Sequence, residues 1–347
     1  MGDEAEGDTV QDREMPDREV QEREDGARED GASGRSRSRG KDRMKDLDRA
    51  PAPRSRKDDG PTVHEMIEGA LAGHVAQFLG FISDVPLDRD TEDVHQARVA
   101  IRRIRSDLRT FGPLVDTPAV EPVIEELTWM GRSLGEVRDL DVLVELLAGQ
   151  VGSMSPEDMD GAAVFLDRLK DERDNAFVTM AETLAGERAK ALEGTLRSLV
   201  ATPPVLAICG PAPARPVVPA LVNRPFRRLV KAVLALGDHP TDEALHNVRL
   251  LTKRCRYAAE AAELVVGKPA TRLADDLARL QTILGNLQDS AVAQHWLREA
   301  AGTATPRQIL SAGLLIKVQQ DRAERSRREW KRAWRRAARR RNHSWLR

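Results

Sequence analysis

Two eleven-residue stretches of this chain place positive charge at helical spacing. The first runs His95-Gln96-Ala97-Arg98-Val99-Ala100-Ile101-Arg102-Arg103-Ile104-Arg105. The second runs His246-Asn247-Val248-Arg249-Leu250-Leu251-Thr252-Lys253-Arg254-Cys255-Arg256. Both satisfy H-x-x-R-x-x-x-[KR]-R-x-R, and neither contains an acid. At about 100° per residue, His95, Arg98, Arg102, Arg105 and Arg109 share one helix face, with Arg103 at its margin. In the second stretch the polar side is His246, Arg249, Lys253 and Arg256. Ordinary surface helices relieve such a face with Glu at i,i+4, because like charges there repel. Unrelieved repulsion points to a counter-charge from outside the helix, an anionic ligand. The competing reading is a solvated or internally paired face.

The stripes need helices to carry them. Ala97, Ile101, Ile104, Leu108 and Phe111 lie opposite the first stripe, and Val248, Cys255, Ala259 and Ala262 opposite the second. Each segment is therefore amphipathic. Glu92-Asp93 and Asp242-Glu243 suit helix N-termini, Thr91 and Thr241 suit caps, and Gly112 and Gly267 suit stops. A second shared motif follows each stripe: Leu134-Gly135-Glu136-Val137-Arg138-Asp139 and Leu284-Gly285-Asn286-Leu287-Gln288-Asp289. Asp139 is 44 residues after His95, and Asp289 is 43 after His246. Two motifs kept in order and spacing indicate an internal duplication. The preferred reading of Asp139 and Asp289 is capping, with Gly ending one helix and Asp starting the next. The alternative is that they orient the stripe's Arg or His groups from behind.

The duplication organises the rest. Residues 1–60 are polar and highly charged and read as a disordered tail. Helical periodicity begins at Pro61 and predicts an all-α protein, with helices near 62–83, 91–111, 118–135, 138–150 and 157–200. A Pro-rich linker over 202–219 divides the first half, 61–201, from the second, 220–340. Helices are predicted there near 221–236, 241–265, 269–285, 288–301 and 305–341, leaving 341–347 as a C-terminal tail. Bundle rules would pack each half with short connections. Arg224, Arg227, Arg228 and Lys231 share a face before the second stripe and are candidates for a wall of the same site.

Composition narrows the function. Net charge is −1, so no overall field draws in polyanions, and the basic groups must act by segregation. Aromatics are 3%, too few for a base-stacking platform. Cys209 and Cys255 have no metal-ligand spacing, and Cys255 sits on an apolar face, which fits a reducing cytoplasm. No apolar run approaches a membrane span, and no leader pattern opens the chain. No phosphate-binding loop, dinucleotide fingerprint or nucleophile elbow is present, no tight metal-ligand cluster is present, and no nucleophile stands beside a base. Binding is favoured over catalysis, with no cofactor and no metal expected. His64, His74, His239, His295 and His343 match no shared pattern. The Ser-Arg stretch Ser33–Arg39 and the Arg-rich segment 322–347 leave nucleic-acid binding open as a second reading.

The segments at 94–111, 134–143, 245–260 and 284–293, in this order, resemble the CHAD domain (conserved histidine α-helical domain), over about residues 61–340. The resemblance implies two pseudo-symmetric helical bundles with basic helices facing a central cavity. It implies binding of inorganic polyphosphate and, in some members, association with polyphosphate granules. Carried over by position, the implied contacts are His95, Arg98, Arg102, Arg103, Arg105, His246, Arg249, Lys253, Arg254 and Arg256, with Arg227, Arg228 and Lys231 from the preceding helix. Many relatives carry a fused CYTH domain with an E-x-E-x-K signature. That signature is missing here, so the expectation is a stand-alone binding module rather than a metal-dependent phosphoanhydride hydrolase.

Overall fold

The structure, a computed structural model, describes residues 60–84 and 91–347. The charged tail read over 1–60, including Ser33–Arg39, lies almost entirely outside the described residues. Among these, every regular element is helical apart from two isolated bridges. The helices are α1 (Val63–Asp84), α2 (Thr91–Thr110), α3 (Thr117–Val151), α4 (Pro156–Ala185), α5 (Glu187–Ala201), α6 (Val218–Leu234), α7 (Asp242–Ala261), α8 (Glu263–Val266), α9 (Lys268–Ala301), α10 (Pro306–Ala337) and α11 (Arg340–His343).

Local signals account for many helix ends. Ser155 caps α4 by accepting from the Asp158 amide, and Thr241 caps α7 through the Ala244 amide at 3.2 Å. Thr305 and Gln308 form a reciprocal capping box on α10. Gly267 ends α8 at φ 69°, a left-handed conformation that glycine adopts without steric cost. Three expected boundaries are corrected. Gly135 and Gly285 end nothing: α3 and α9 run through them, so two pairs of short helices are two long ones. Conversely, the helix expected over 157–200 breaks at Gly186, whose backbone is extended. A glycine inside a helix costs only about 1 kcal/mol. At 135 and 285 that cost is small against the burial of Leu134, Val137, Leu284 and Leu287.

The long helices pair as hairpins, α3 with α4 and α9 with α10, while α2 packs on α1 and α3, and α7 on α6 and α9. Contacts between the halves come from α2 against α7 and from α10 against α4. The apolar core is continuous across the duplication. One cluster holds Phe78, Ile101, Ile104 and Leu134 together with Val248, Cys255 and Leu284. A second joins the far ends of both hairpins through Leu147, Phe165, Leu297 and Leu315. Cys255 is fully buried, as its apolar position suggested, and burial pushes its thiol far above the usual range.

Two segments read as loose are docked. The Pro-rich stretch is strapped onto the first half: Val63 N donates to Ala212 O at 2.9 Å, Ala214 N to Pro61 O at 3.0 Å and Leu206 N to Leu114 O at 2.9 Å. The expected C-terminal tail folds as α11 and a final turn. Asn342 is buried and donates to Asp276 at 2.9 Å, His343 stacks on Phe226 with centroids 4.9 Å apart, and Leu346 enters the core. Burial of Asp276 opposes its charge, but hydrogen bonds from Asn342, Arg336 and Arg279 outweigh that and hold its carboxyl below the ordinary value. Polar partners remote in sequence join Leu346 in fixing this end, which is why periodicity did not reveal it.

Candidate anion-binding site

Helices α2 and α7 pack together with their apolar sides in the core, and the two cationic stripes meet across that contact. Lys253 shows it most directly. Burial disfavours its ammonium first, and the charges of Arg102, Arg98, Arg249 and Arg105 add to that, bringing its pKa down to about 7. Three of those four arginines belong to the other half. Arg102 holds the equivalent position in the first stripe and is in the same condition. Its pKa is lowered by burial, then by Arg98 and Arg256, with Tyr257 opposing. The guanidinium carbons of Arg102 and Arg256 lie 5.6 and 5.4 Å from the Tyr257 ring centroid, so one ring supports a cation from each half.

The Leu-Gly-x-x-x-Asp motifs lie mid-helix on α3 and α9, behind the stripes, so the capping expectation for Asp139 and Asp289 fails. Asp139 instead contacts a stripe arginine, accepting from Arg98 Nη2 at 3.0 Å. A Cβ on Gly135 would sit 3.6 Å from Arg98 Nε, and one on Gly285 would sit 3.8 Å from Arg249 Nε, so each stripe arginine lies across its motif glycine. The next shared position faces the histidines. Gln288 Oε1 is 3.0 Å from His246 Nδ1. Its counterpart, Arg138, helps to lower the pKa of His95, after burial and alongside Arg102 and Arg98, with Glu92 opposing. Burial raises the Asp289 carboxyl, and Arg249 and Arg322 oppose that.

This packing yields a graded expectation. Gly135→Ala adds a methyl at ordinary contact distance and should leave anion affinity within about twofold. Gly135→Leu has no such room and should displace Arg98. Losing one charge-assisted contact of about 1.5–3 kcal/mol corresponds to roughly ten- to a hundredfold in affinity. Circular dichroism and an anion titration of both variants would check this; equal binding by both would mean that Arg98 need not be held.

Not every expected residue joins the stripe contact. Arg103 points to Glu260, at 3.1 Å, and the same carboxylate accepts from Arg256 Nε at 2.7 Å, so the acid closes one end of the stripe. Arg103 also lines a cavity of about 330 Å³ with His74, Asp107, Tyr257, Glu260 and Glu263. Arg105 donates to Thr128 Oγ1 at 3.2 Å, although its charge still reaches Lys253 across the contact. Arg109 and Arg254 are exposed, and Arg224, Arg227, Arg228 and Lys231 lie on the exposed side of α6, opposite buried Val222, Phe226 and Leu229. Tyr257, Arg138 and Glu260 were not singled out from sequence. Arg138 stood inside a recognised motif, and Tyr257 immediately follows one, but only the packing shows what they touch.

The CHAD domain family model matches residues 69–298, which covers both stripes and both Leu-Gly motifs. The chain belongs to the CHAD domain family. Two uncharacterised Mycobacterium tuberculosis proteins, from strains CDC 1551 / Oshkosh and ATCC 25618 / H37Rv, are each 30% identical to it over 274 residues. Those matches cover 76% of this chain and 51% of each relative, so the chain spans about half the length of the curated relatives it matches. Among solved structures, PptA from Streptomyces chartreusis superposes with a TM-score of 0.65 at 25% identity, covering 80% of this chain and 100% of PptA. The CHAD domain from the plant Ricinus communis superposes with a TM-score of 0.65 at 23% identity, over 81% of this chain and 93% of that one, and shares the fold. Among the described residues no helix is long and apolar enough to cross a membrane, and no group of three or more His, Cys, Asp or Glu is placed to hold a metal ion.

Proposed function

We propose that this CHAD protein binds inorganic polyphosphate, without turning it over, between the α2 and α7 stripes. The observation that carries the reading is the meeting of the two stripes where α2 packs on α7, with Arg102 and Arg256 on one Tyr257 ring and Lys253 half-buried among arginines of both halves. A fold does not gather like charges in a poorly solvated place for its own stability. A bound polyanion supplies what is missing. Each phosphate brings negative charge and oxygens that guanidinium forks grip in pairs, and no base needs to be read. CHAD membership supports the same ligand class. In the cell we place the protein in the cytoplasm, with polyphosphate granules as its site of association.

The test is a titration of the full chain with long-chain polyphosphate at several salt concentrations, with single-stranded DNA as competitor. Affinity is expected to fall steeply with salt through counterion release, and DNA should not displace the ligand. Displacement by DNA at matched charge would move binding to the exposed arginines of α10. The same titration has a pH arm. His95 and Lys253 both have lowered pKa values in the free protein. A polyanion favours their charged forms, so binding takes up protons. Affinity should therefore rise as pH falls from 9 to 6, by roughly tenfold for each full proton taken up per pH unit. Equal affinity at pH 6 and pH 8 would remove both groups from the site.

A further inference from the structure

Among the described residues eleven large apolar side chains are exposed, and four of them, Ile309, Leu310, Leu314 and Val318, lie within ten residues of α10. Three of the four form a row. With Leu314 as origin, Leu310 and Val318 stand one turn to either side and within about 40° of it. Leu310, Leu314 and Val318 are 60, 41 and 42% exposed, while Ala312, Leu315 and Gln319 bury the far side of the helix. The fold does not require an apolar row here. Ser155 caps α4 as Thr305 caps α10, an offset of 150 (305 minus 155), and a proline follows each cap. At that offset the row corresponds to Asp160, Val164 and Arg168, so the first half sets charge at two of the three positions. An apolar row on the open side of one helix and not of its twin marks a surface that meets a partner. Charges close the row at both ends. Arg307 and Asp321 lie seven residues before and after Leu314 and within about 20° of it. Both side chains are more than half exposed. Arg307 reaches Asp160 at 3.7 Å and donates to Glu157 O at 2.6 Å, and Asp321 accepts from Lys317 at 2.6 Å. Such surface contacts are weak and give way readily to a partner.

We propose that this face of α10 pairs with the same face of a second copy of the chain, antiparallel, about a twofold axis at Leu314. In such a contact, residue i of one copy meets j of the other, and j meets i. Leu314 then meets its own counterpart, Leu310 meets the second copy's Val318, and Arg307 meets the second copy's Asp321. The apolar centre leaves water, and charges of opposite sign at both ends fix direction and register. A parallel pairing would set Arg307 on Arg307 and Asp321 on Asp321, and like charge at both ends disfavours it. The same reasoning selects the occupant. A uniformly acidic or uniformly basic partner would leave one end of the row facing like charge, whereas the row is complementary to itself. A single helix face lies at the small end of specific interfaces, so the dimer is expected to be weak and concentration-dependent. The pairing uses no residue of the cationic stripes and does not depend on what they bind.

The experiment is sedimentation equilibrium of the full chain, without added polyanion, over a concentration series up to about 100 μM. Monomer and dimer in exchange are expected. Leu314→Glu sets two carboxylates against each other on the axis. It should weaken the dimer about thirtyfold or more, the loss typical of a central contact, with helical content by circular dichroism unchanged. Arg307→Asp and Asp321→Arg should each weaken the dimer, and the two together should restore it, because the double exchange rebuilds complementary ends. After oxidation, Leu314→Cys should run as a covalent dimer. Leu234→Cys, at a more exposed leucine on α6, should not. A parent chain that stays monomeric throughout the series overturns the proposal. So does a dimer that Leu314→Glu leaves intact, which would place the contact elsewhere, and so do charge exchanges that weaken the dimer without rescuing each other.

Discussion

The double variant Arg98→Ala/Arg249→Ala should lose polyphosphate binding by about a hundredfold or more while keeping its helical content and its solubility. Each arginine supplies a charge-assisted contact of about 1.5–3 kcal/mol, and the two sit at equivalent positions of the facing stripes. Neither side chain is part of the apolar core. Arg98 is about one-third exposed and its bond to Asp139, itself exposed, adds little to stability. The loss should therefore appear in affinity and in the salt dependence, whose slope falls with the number of phosphates engaged. A near-normal titration of the double variant would mean that the stripes are structural, and the exposed arginines of α10 would become the leading candidates for anion binding.

Lys253→Met should have opposite effects on two measurements. Without ligand, the variant is expected to be more stable at neutral pH by about 1–3 kcal/mol, because a half-buried, repelled charge is replaced by an apolar side chain of similar length. With polyphosphate, it should bind about tenfold or more weakly, since a cation at the centre of the stripes is gone. The pH dependence has a definite sign. The folded-state pKa of Lys253, about 7, lies below that of an ordinary lysine, so between those values the unfolded chain holds more protons. Stability of the parent protein should rise with pH across that window, and the advantage of the variant should be greatest below pH 7 and shrink toward pH 10. Denaturant melts at pH 6.5, 8 and 9.5 would check this. A variant that is both less stable and equally good at binding would make Lys253 a packing residue. The gain in stability with loss of binding is the pattern expected where a site's strain serves its ligand.

Much of this was already written in the chain. The cationic stripes follow from spacing at 3.6 residues per turn, which local covalent geometry imposes wherever the segment is helical. The duplication follows from the order of two motifs, and the all-α class from periodicity with few strand signals. Thr241 at the head of α7 and Gly267 at the end of α8 act through neighbours one turn away, so sequence alone could locate them. Capping by Asp139 and Asp289 was a local inference of the same kind, and it failed because Gly135 and Gly285 serve a distant partner. They let α3 and α9 pass beneath Arg98 and Arg249, tens of residues away in the chain.

The electrostatics of the site belong mostly to tertiary structure. The cations along each stripe, Arg98 and Arg102 for His95 and Arg249 for Lys253, are a local contribution that spacing shows. The larger part is burial and the cations that another helix brings in, and both depend on distance and on the loss of water, which local spacing does not show. Arg103 and Arg105 differ by two positions, yet one meets Glu260 from the second half and the other meets Thr128 on α3. The docked end at Asn342 and the strap from residue 202 to 217 are of the same kind, since their anchors are hydrogen bonds to remote backbone and to Asp276. Sequence determined which residues could grip an anion and which helices carry them. Only the tertiary structure decided that the two stripes share one space, because that rests on α2 meeting α7 across the fold, and like charges are held together there by the apolar core beneath them.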